Sequence, residues 1–297
     1  MRKINMLPTG VNSHRCHCLA LLIIQLLAAA SLSQAQPSRF AAAYYNRGNE
    51  RLKKGDFDGA IADYDAAITS YSRWALAYTM RGSARYNKGD LDGSITDYTR
   101  AIEIDPHLAL AHYNRGKARR DKGDLDGSIA DYTRAIELNP RLSSAYNNRG
   151  NARREKGELD GAMADLDIAT RLDPHNAVVY NNRGLVRRAK GDLQGAIADY
   201  DRAIEINPRF VEAYSNRGNA QQDRGDLERS IADYDHAINI DPSFAAAYGN
   251  RGLARLFQGD VAGAEKDFGH CLKVDPKLKP LLEEEIEKAK RKLAARQ

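Results

Sequence analysis

An asparagine recurs every 34 residues, at Asn46, Asn114, Asn148, Asn182, Asn216 and Asn250, with Met80 filling the one gap in the series. A side-chain carboxamide both donates and accepts, which matches the hydrogen-bonding pattern of a peptide unit. Asparagine is a middling helix former, so six of them at one position need a reason. Two readings are open: contact with polypeptide, or amides that cap or bridge neighbouring elements. A second polar series runs close by, in Arg120, Arg154 and Arg188 together with Asn151. Asp121 and Glu155 follow two of these arginines, so this stripe also fits a solvated face of mixed charge.

Other chemistry is not supported. The chain shows no nucleophile–base set, no metal-ligand spacing and no phosphate loop, so neither an enzyme nor a cofactor is expected. The histidines are scattered, and His112 stands where every other copy has tyrosine, which marks it as packing. Gly-Asp pairs such as Gly123-Asp124 lie 34 residues apart without a clustered set of oxygen ligands, so they are turn chemistry and not calcium sites. Arginine pairs such as Arg115 and Arg119 share one helix face, where like charges repel. Each copy also carries an aspartate, from Asp63 and Asp97 to Asp233 and Asp267, and an arginine–aspartate ladder is expected.

What must position these residues is a repeating unit. Ala109–Leu142 returns without insertion as residues 41–74, 75–108, 143–176, 177–210, 211–244 and 245–278. A period of this size signals stacked units that cannot bury an apolar face alone. Within the unit, Ala109–Lys122 reads as a helix ended by Gly123, which can take positive φ. Asp124 and Asp126 favour the start of the next helix. Ser128–Leu138 places Ile129, Tyr132, Ala135 and Ile136 at helical spacing, and Pro140 stops that helix. A glycine sits inside every first helix, as in Gly116, at a cost of roughly 1 kcal/mol against alanine. Seven such glycines imply a close approach that outweighs the cost.

The period, the glycine, the small residues at Ser128 and Ala135, the tyrosine at Tyr132 and the proline at Pro140 together resemble the tetratricopeptide repeat (TPR) family over residues 41–278. Three features depart from its pattern: arginine before each glycine, arginine or Gln221 three residues after it, and Ser72 in place of the first proline. The resemblance implies an all-α fold, a right-handed α-solenoid superhelix of helix–turn–helix repeats. It also implies that first helices line a concave groove and that the residue two before the glycine faces it. The asparagine series is then similar to the ladder that holds peptide main chain in the TPR superhelix of O-linked N-acetylglucosamine transferase. Asn46, Asn114, Asn148, Asn182, Asn216, Asn250, Asn151, Arg120, Arg154 and Arg188 are therefore the expected groove residues. The lysines of chaperone-binding TPR clamps are replaced here, for example by Tyr113 and Asn147. The RNA-reading pentatricopeptide repeats have a period one residue longer and lack this glycine–alanine–proline pattern.

The ends differ from the repeats. Residues 1–35 have a basic start, an apolar run over Leu19–Ala30 and a small-x-small site at Ser33-Gln34-Ala35. This predicts a secretory signal peptide cleaved after Ala35, a linker over residues 36–40 and a periplasmic product. An uncleaved membrane anchor is the rival reading, although the run is short for a span. The segment holds Arg2, Lys3 and Arg15 and no acid, so its removal lowers the formal charge from +5 to +2 and argues against nucleic-acid binding. Cys271 would remain as a lone thiol at an alanine position and is expected to be packing. Residues 279–297 carry Leu282, Ile286, Ala289 and Leu293 on one stripe, which predicts a capping helix. The sequence points to a secreted, non-enzymatic scaffold with a protein or peptide partner, no nucleic acid and no small-molecule substrate. The alternative is an adaptor of a cell-envelope or export assembly that acts through its convex face or ends.

Overall fold

The computed structural model of the chain describes residues 37–294. The signal segment, and the last three residues of the capping segment, lie outside the described residues. The first helices of the seven units are α1 (Arg39–Lys53), α3 (Ala75–Asn87), α5 (Ala109–Asp121), α7 (Ser143–Glu155), α9 (Ala177–Ala189), α11 (Val211–Arg224) and α13 (Ala245–Gln258). The second helices are α2 (Phe57–Ser70), α4 (Leu91–Ile104), α6 (Leu125–Leu138), α8 (Leu159–Leu172), α10 (Leu193–Ile206), α12 (Leu227–Ile240) and α14 (Val261–Val274). A 3₁₀ turn, Pro276–Leu278, leads into α15 (Lys279–Ala294). The fold is an all-α solenoid. Arg39 and Phe40, expected in the linker, belong to α1, because the Ser38 hydroxyl accepts from the amide of Ala41 and caps the helix at that point.

The turn inside each unit follows from two residues. Gly123 takes φ +85°, and the Asp124 carboxylate accepts from the amide of Gly127 at 2.9 Å to open α6. The mid-helix glycine is a contact point. A Cβ built on Gly184 would lie 2.5 Å from Cε1 of Tyr200, so α9 and α10 can meet only without a side chain there. Ala135 on α6, Ala145 on α7 and Ala162 on α8 are fully buried in one cluster that runs from one unit into the next.

Arginine–aspartate pairing binds the stack. Nε of Arg115 donates to Asp131 at 2.9 Å and its Nη2 at 2.7 Å, while Nη1 of Arg119 donates to the same carboxylate at 2.8 Å. The remaining arm of the first arginine often crosses to the preceding unit. Arg183 reaches Asp167 at 2.9 Å, Arg217 reaches Asp201 at 2.6 Å, and Arg149 reaches the Thr133 hydroxyl at 2.9 Å. The like-charged pair is thus held by a shared carboxylate of its own unit and, at Arg81 and Arg183, the first arginine also meets an aspartate of the preceding unit.

Among the described residues, consecutive first helices touch one another and consecutive second helices make no comparable contact. A stack crowded on one side curves toward that side, so the first helices form the inner face. Helix α15 departs from the register of an eighth first helix. Leu282 packs with Ala245 and Cys271, and the helix leans on α13 at the inner side. Cys271 is buried there, and burial pushes its thiol pKa up.

Candidate functional site

The expected groove residues all lie on first helices, and hydrogen bonds join several of them along the inner face. Nδ2 of Asn182 donates to Oδ1 of Asn147 at 2.9 Å, and Nδ2 of Asn216 donates to Oδ1 of Asn181 at 2.9 Å. Asn148 donates to the Tyr113 hydroxyl at 3.0 Å and accepts from Asn147 at 3.1 Å. Asn114 makes a longer contact, 3.4 Å, to the Ser83 hydroxyl. Each of these contacts except the Asn147–Asn148 one steps back to the preceding first helix. The asparagines therefore do bridge neighbouring helices. Their acceptors are a separate matter: among the described residues, no donor reaches Oδ1 of Asn114, Asn182 or Asn216. Asn46 is exposed on α1, and Asn250 is half-buried beside α15.

The arginine stripe divides residue by residue. Arg188 bonds Asp223 at 2.6 Å, across to the next first helix. Nε of Arg120 lies 3.9 Å from Asp121, which also receives the Tyr86 hydroxyl. Arg154 comes no closer than 4.0 Å to Glu155, and its Nε is buried without a partner.

A layer beneath the asparagines escaped the sequence reading. The second-helix tyrosine points its hydroxyl at the residue just after the first-helix glycine. Tyr64 donates to Asn49 at 2.8 Å, Tyr98 to Ser83 at 3.3 Å and Tyr234 to Asn219 at 2.8 Å. Where that partner is Lys117 or Leu185, the hydroxyls of Tyr132 and Tyr200 are buried and unpaired. Where Leu166 replaces the tyrosine, Oδ1 of Asn151 is the orphan. Burial pushes the Tyr98 hydroxyl up to about 12, against a partial opposing effect of Ser83. These phenols are therefore protonated donors at neutral pH. A spacing of 15 residues between the two partners was the signal available in the sequence.

The inner face ends at α15. A cleft of about 220 Å³ lies between that helix and the last three units, with Arg188, Asn219, Asp223, Asn250, Phe257 and Lys288 in its walls.

Family models match nearly the whole stack. One described as TPR repeat covers residues 82–119, 116–153, 150–187, 184–223 and 222–259, and one described as tetratricopeptide repeat covers 41–72 and 245–278. The chain belongs to the tetratricopeptide repeat family. Comparison with curated proteins gave no match. Among solved structures, this TPR chain is similar to a tetratricopeptide repeat protein from Parabacteroides merdae, at 18% identity and TM-score 0.69, covering 85% of this chain and 99% of that one. It is similar to the Cut9-Hcn1 hetero-tetramer of APC/C at 17% identity and TM-score 0.69 over 83% of this chain, and spans 48% of the Cut9-Hcn1 chain it matches. It is also similar to pilF of Pseudomonas aeruginosa, at 18% identity and TM-score 0.59, covering 68% of this chain and 92% of that one. At these identities the likeness establishes the TPR solenoid and nothing finer.

Proposed function

We propose that the protein is a secreted, periplasmic scaffold that holds an extended peptide or protein segment along its inner face. TPR proteins bind protein or peptide partners, and the observation that supports this face is its row of asparagines. The Nδ2 groups of Asn114, Asn148, Asn182 and Asn216 are engaged with the preceding unit, while the carbonyl oxygens of Asn114, Asn182 and Asn216 remain open to an incoming peptide N–H. Extended chain advances roughly 3.3 Å per residue and packed helices lie about 8–10 Å apart, so one amide meets every second or third residue. Peripheral adaptor work is the second reading, supported by exposed Phe40 at the first end and exposed Leu281 on α15.

Alanine replacement of Asn114 and Asn216 tests the groove without breaking the linked Asn147–Asn148–Asn182 set. Proteins retained from a periplasmic extract by the wild type are expected to be lost by this variant at an unchanged melting temperature. An unchanged set of retained proteins counts against the groove. Loss of the same proteins on deleting residues 279–297 alone would favour the ends. Fractionation with a protease-protection assay checks the periplasmic assignment; a cytoplasmic pool of uncleaved protein would refute it.

A further inference from the structure

The first unit leaves open the face that every later unit buries against its predecessor. Ala43 is exposed, whereas its counterparts, from Ala77 to Ala247, are at most 1% exposed. Glu50 is exposed too, where the later units have fully buried Ala84, Ala118, Ala152, Val186, Ala220 and Ala254. Those residues pack on the preceding second helix, as Ala84 does with Ala60 and Tyr64. Arg47 belongs to the same face. Its Nε and Nη2 hold Asp63, while Nη1 meets no acceptor among the described residues. Its side chain is 56% exposed, against 12–21% for the six later arginines.

The opposite end of the chain does not fit this face. On α14, exposed Glu265 stands where Ile61, Met163 and Ile197 pack on the next unit. Gly269 stands where Asp65, Asp167 and Asp201 receive the next unit's first arginine. Head-to-tail stacking of two copies would therefore bring Glu50 near Glu265 and leave Arg47 without an acceptor. Leu282 already covers Cys271 at that end. Residues 1–36 contain no acid, so they offer Arg47 no carboxylate either. Polar residues at a solenoid's end keep it soluble, and Glu265 serves α14 in that way. The first end instead sets Phe40, 78% exposed, beside an acid and a base.

The face is complementary to itself. Phe40, Ala43, Arg47 and Glu50 follow one another at steps of three, four and three residues, which is a coiled-coil seam along α1. We propose that two copies of the protein dock head to head through α1, antiparallel about a two-fold axis that passes between Arg47 and Glu50. Nη1 of each Arg47 then donates to the Glu50 carboxylate of the other copy, twice by symmetry, and each Phe40 covers the far end of the other helix. Glu50 is free to do this, because its bond to Lys53 at 2.9 Å is an exposed pair on its own helix. One helix face makes a small interface of the transient class, so the dimer forms and dissociates with concentration. The dimer does not depend on the groove reading.

Sedimentation equilibrium of the full-length protein, from micromolar to hundreds of micromolar, is expected to fit a monomer–dimer equilibrium that weakens as salt is added. Glu50→Arg turns both pairs repulsive and is expected to weaken the dimer roughly tenfold or more at an unchanged Tm. Phe40→Ser is expected to weaken it roughly tenfold. Arg47→Glu alone should also be monomeric, and an equimolar mixture of the Glu50→Arg and Arg47→Glu proteins should regain a dimer, because both pairs are then attractive. If Arg47→Glu disrupts the first unit by losing Asp63, which its Tm would show, Glu50→Arg and Phe40→Ser still decide the matter. Glu265→Arg, at the other end, is expected to leave the dimer unchanged. A protein that stays monomeric throughout, a dimer that survives Glu50→Arg, or assemblies that grow beyond two copies or respond to Glu265→Arg would overturn the proposal.

Discussion

Asp131 accepts from Arg115 and Arg119, whereas Asp233 accepts from Arg217 alone, because Gln221 replaces the second arginine. The consequence is electrostatic. Burial raises the pKa of both carboxylates, but at Asp131 the His112 ring 3.8 Å away, the bond from Arg115 and the charges of Arg115 and Arg119 outweigh it and the net direction is down. At Asp233 burial wins over Arg217 and the net direction is up. A raised carboxylate pKa means that folding favours the protonated form, and stability is lost as pH rises through that value. Gln221→Arg should reverse this and stabilise the protein by about 1–2 kcal/mol at pH 7, an increase of about 2–4 °C in Tm per kcal/mol. Differential scanning calorimetry at pH 7 and pH 4 checks it, and the gain should be smaller at pH 4. The unpaired Oε1 of Gln221, buried in the wild type, is removed by the same change.

At the scale of the helix, the sequence reading of the glycines holds and its cause is now explicit. Alanine at Gly184 would relieve roughly 1 kcal/mol of helix cost. Its Cβ would also fall 2.5 Å from the Tyr200 ring and force α9 and α10 apart. Overpacking of that kind costs about 1–3 kcal/mol, so Gly184→Ala should destabilise on balance. A urea midpoint equal to or above wild type would contradict it. Helix α15 was legible as an apolar stripe, and Leu282 and Ala289 are indeed its buried residues. Its lean toward the inner face was not legible, because the stripe fixes which side is buried but not against which neighbour.

Among the described residues, each unit touches its neighbours along the stack, and the ladder runs through all seven units. Asp131 has a depressed folded pKa, so its contribution is complete above the unfolded value of about 3.9 and is lost as pH falls through the folded one. The urea midpoint of wild type should therefore drop between pH 5 and pH 2.5. In Asp131→Asn the midpoint should start lower at pH 5 and fall by less. An equal fall in both proteins would show that this carboxylate does not carry the acid response. Asp233, with the opposite shift, works against the trend, so the sixth unit should lose least on acidification. Hydrogen exchange resolved by unit reads this directly.

The sequence by itself determined the unit. Its period, the positive-φ glycine at Gly123, the capping carboxylate of Asp124 and the glycine facing a second-helix ring are local or one helix apart, and such constraints are written in spacing. It also placed the asparagines on one face. The tertiary structure decided what those side chains do, because the partners lie across units: Asn182 with Asn147, Asn216 with Asn181, and Arg188 with Asp223. The stagger of one unit on the next selects these partners, and that stagger comes from how the helices pack.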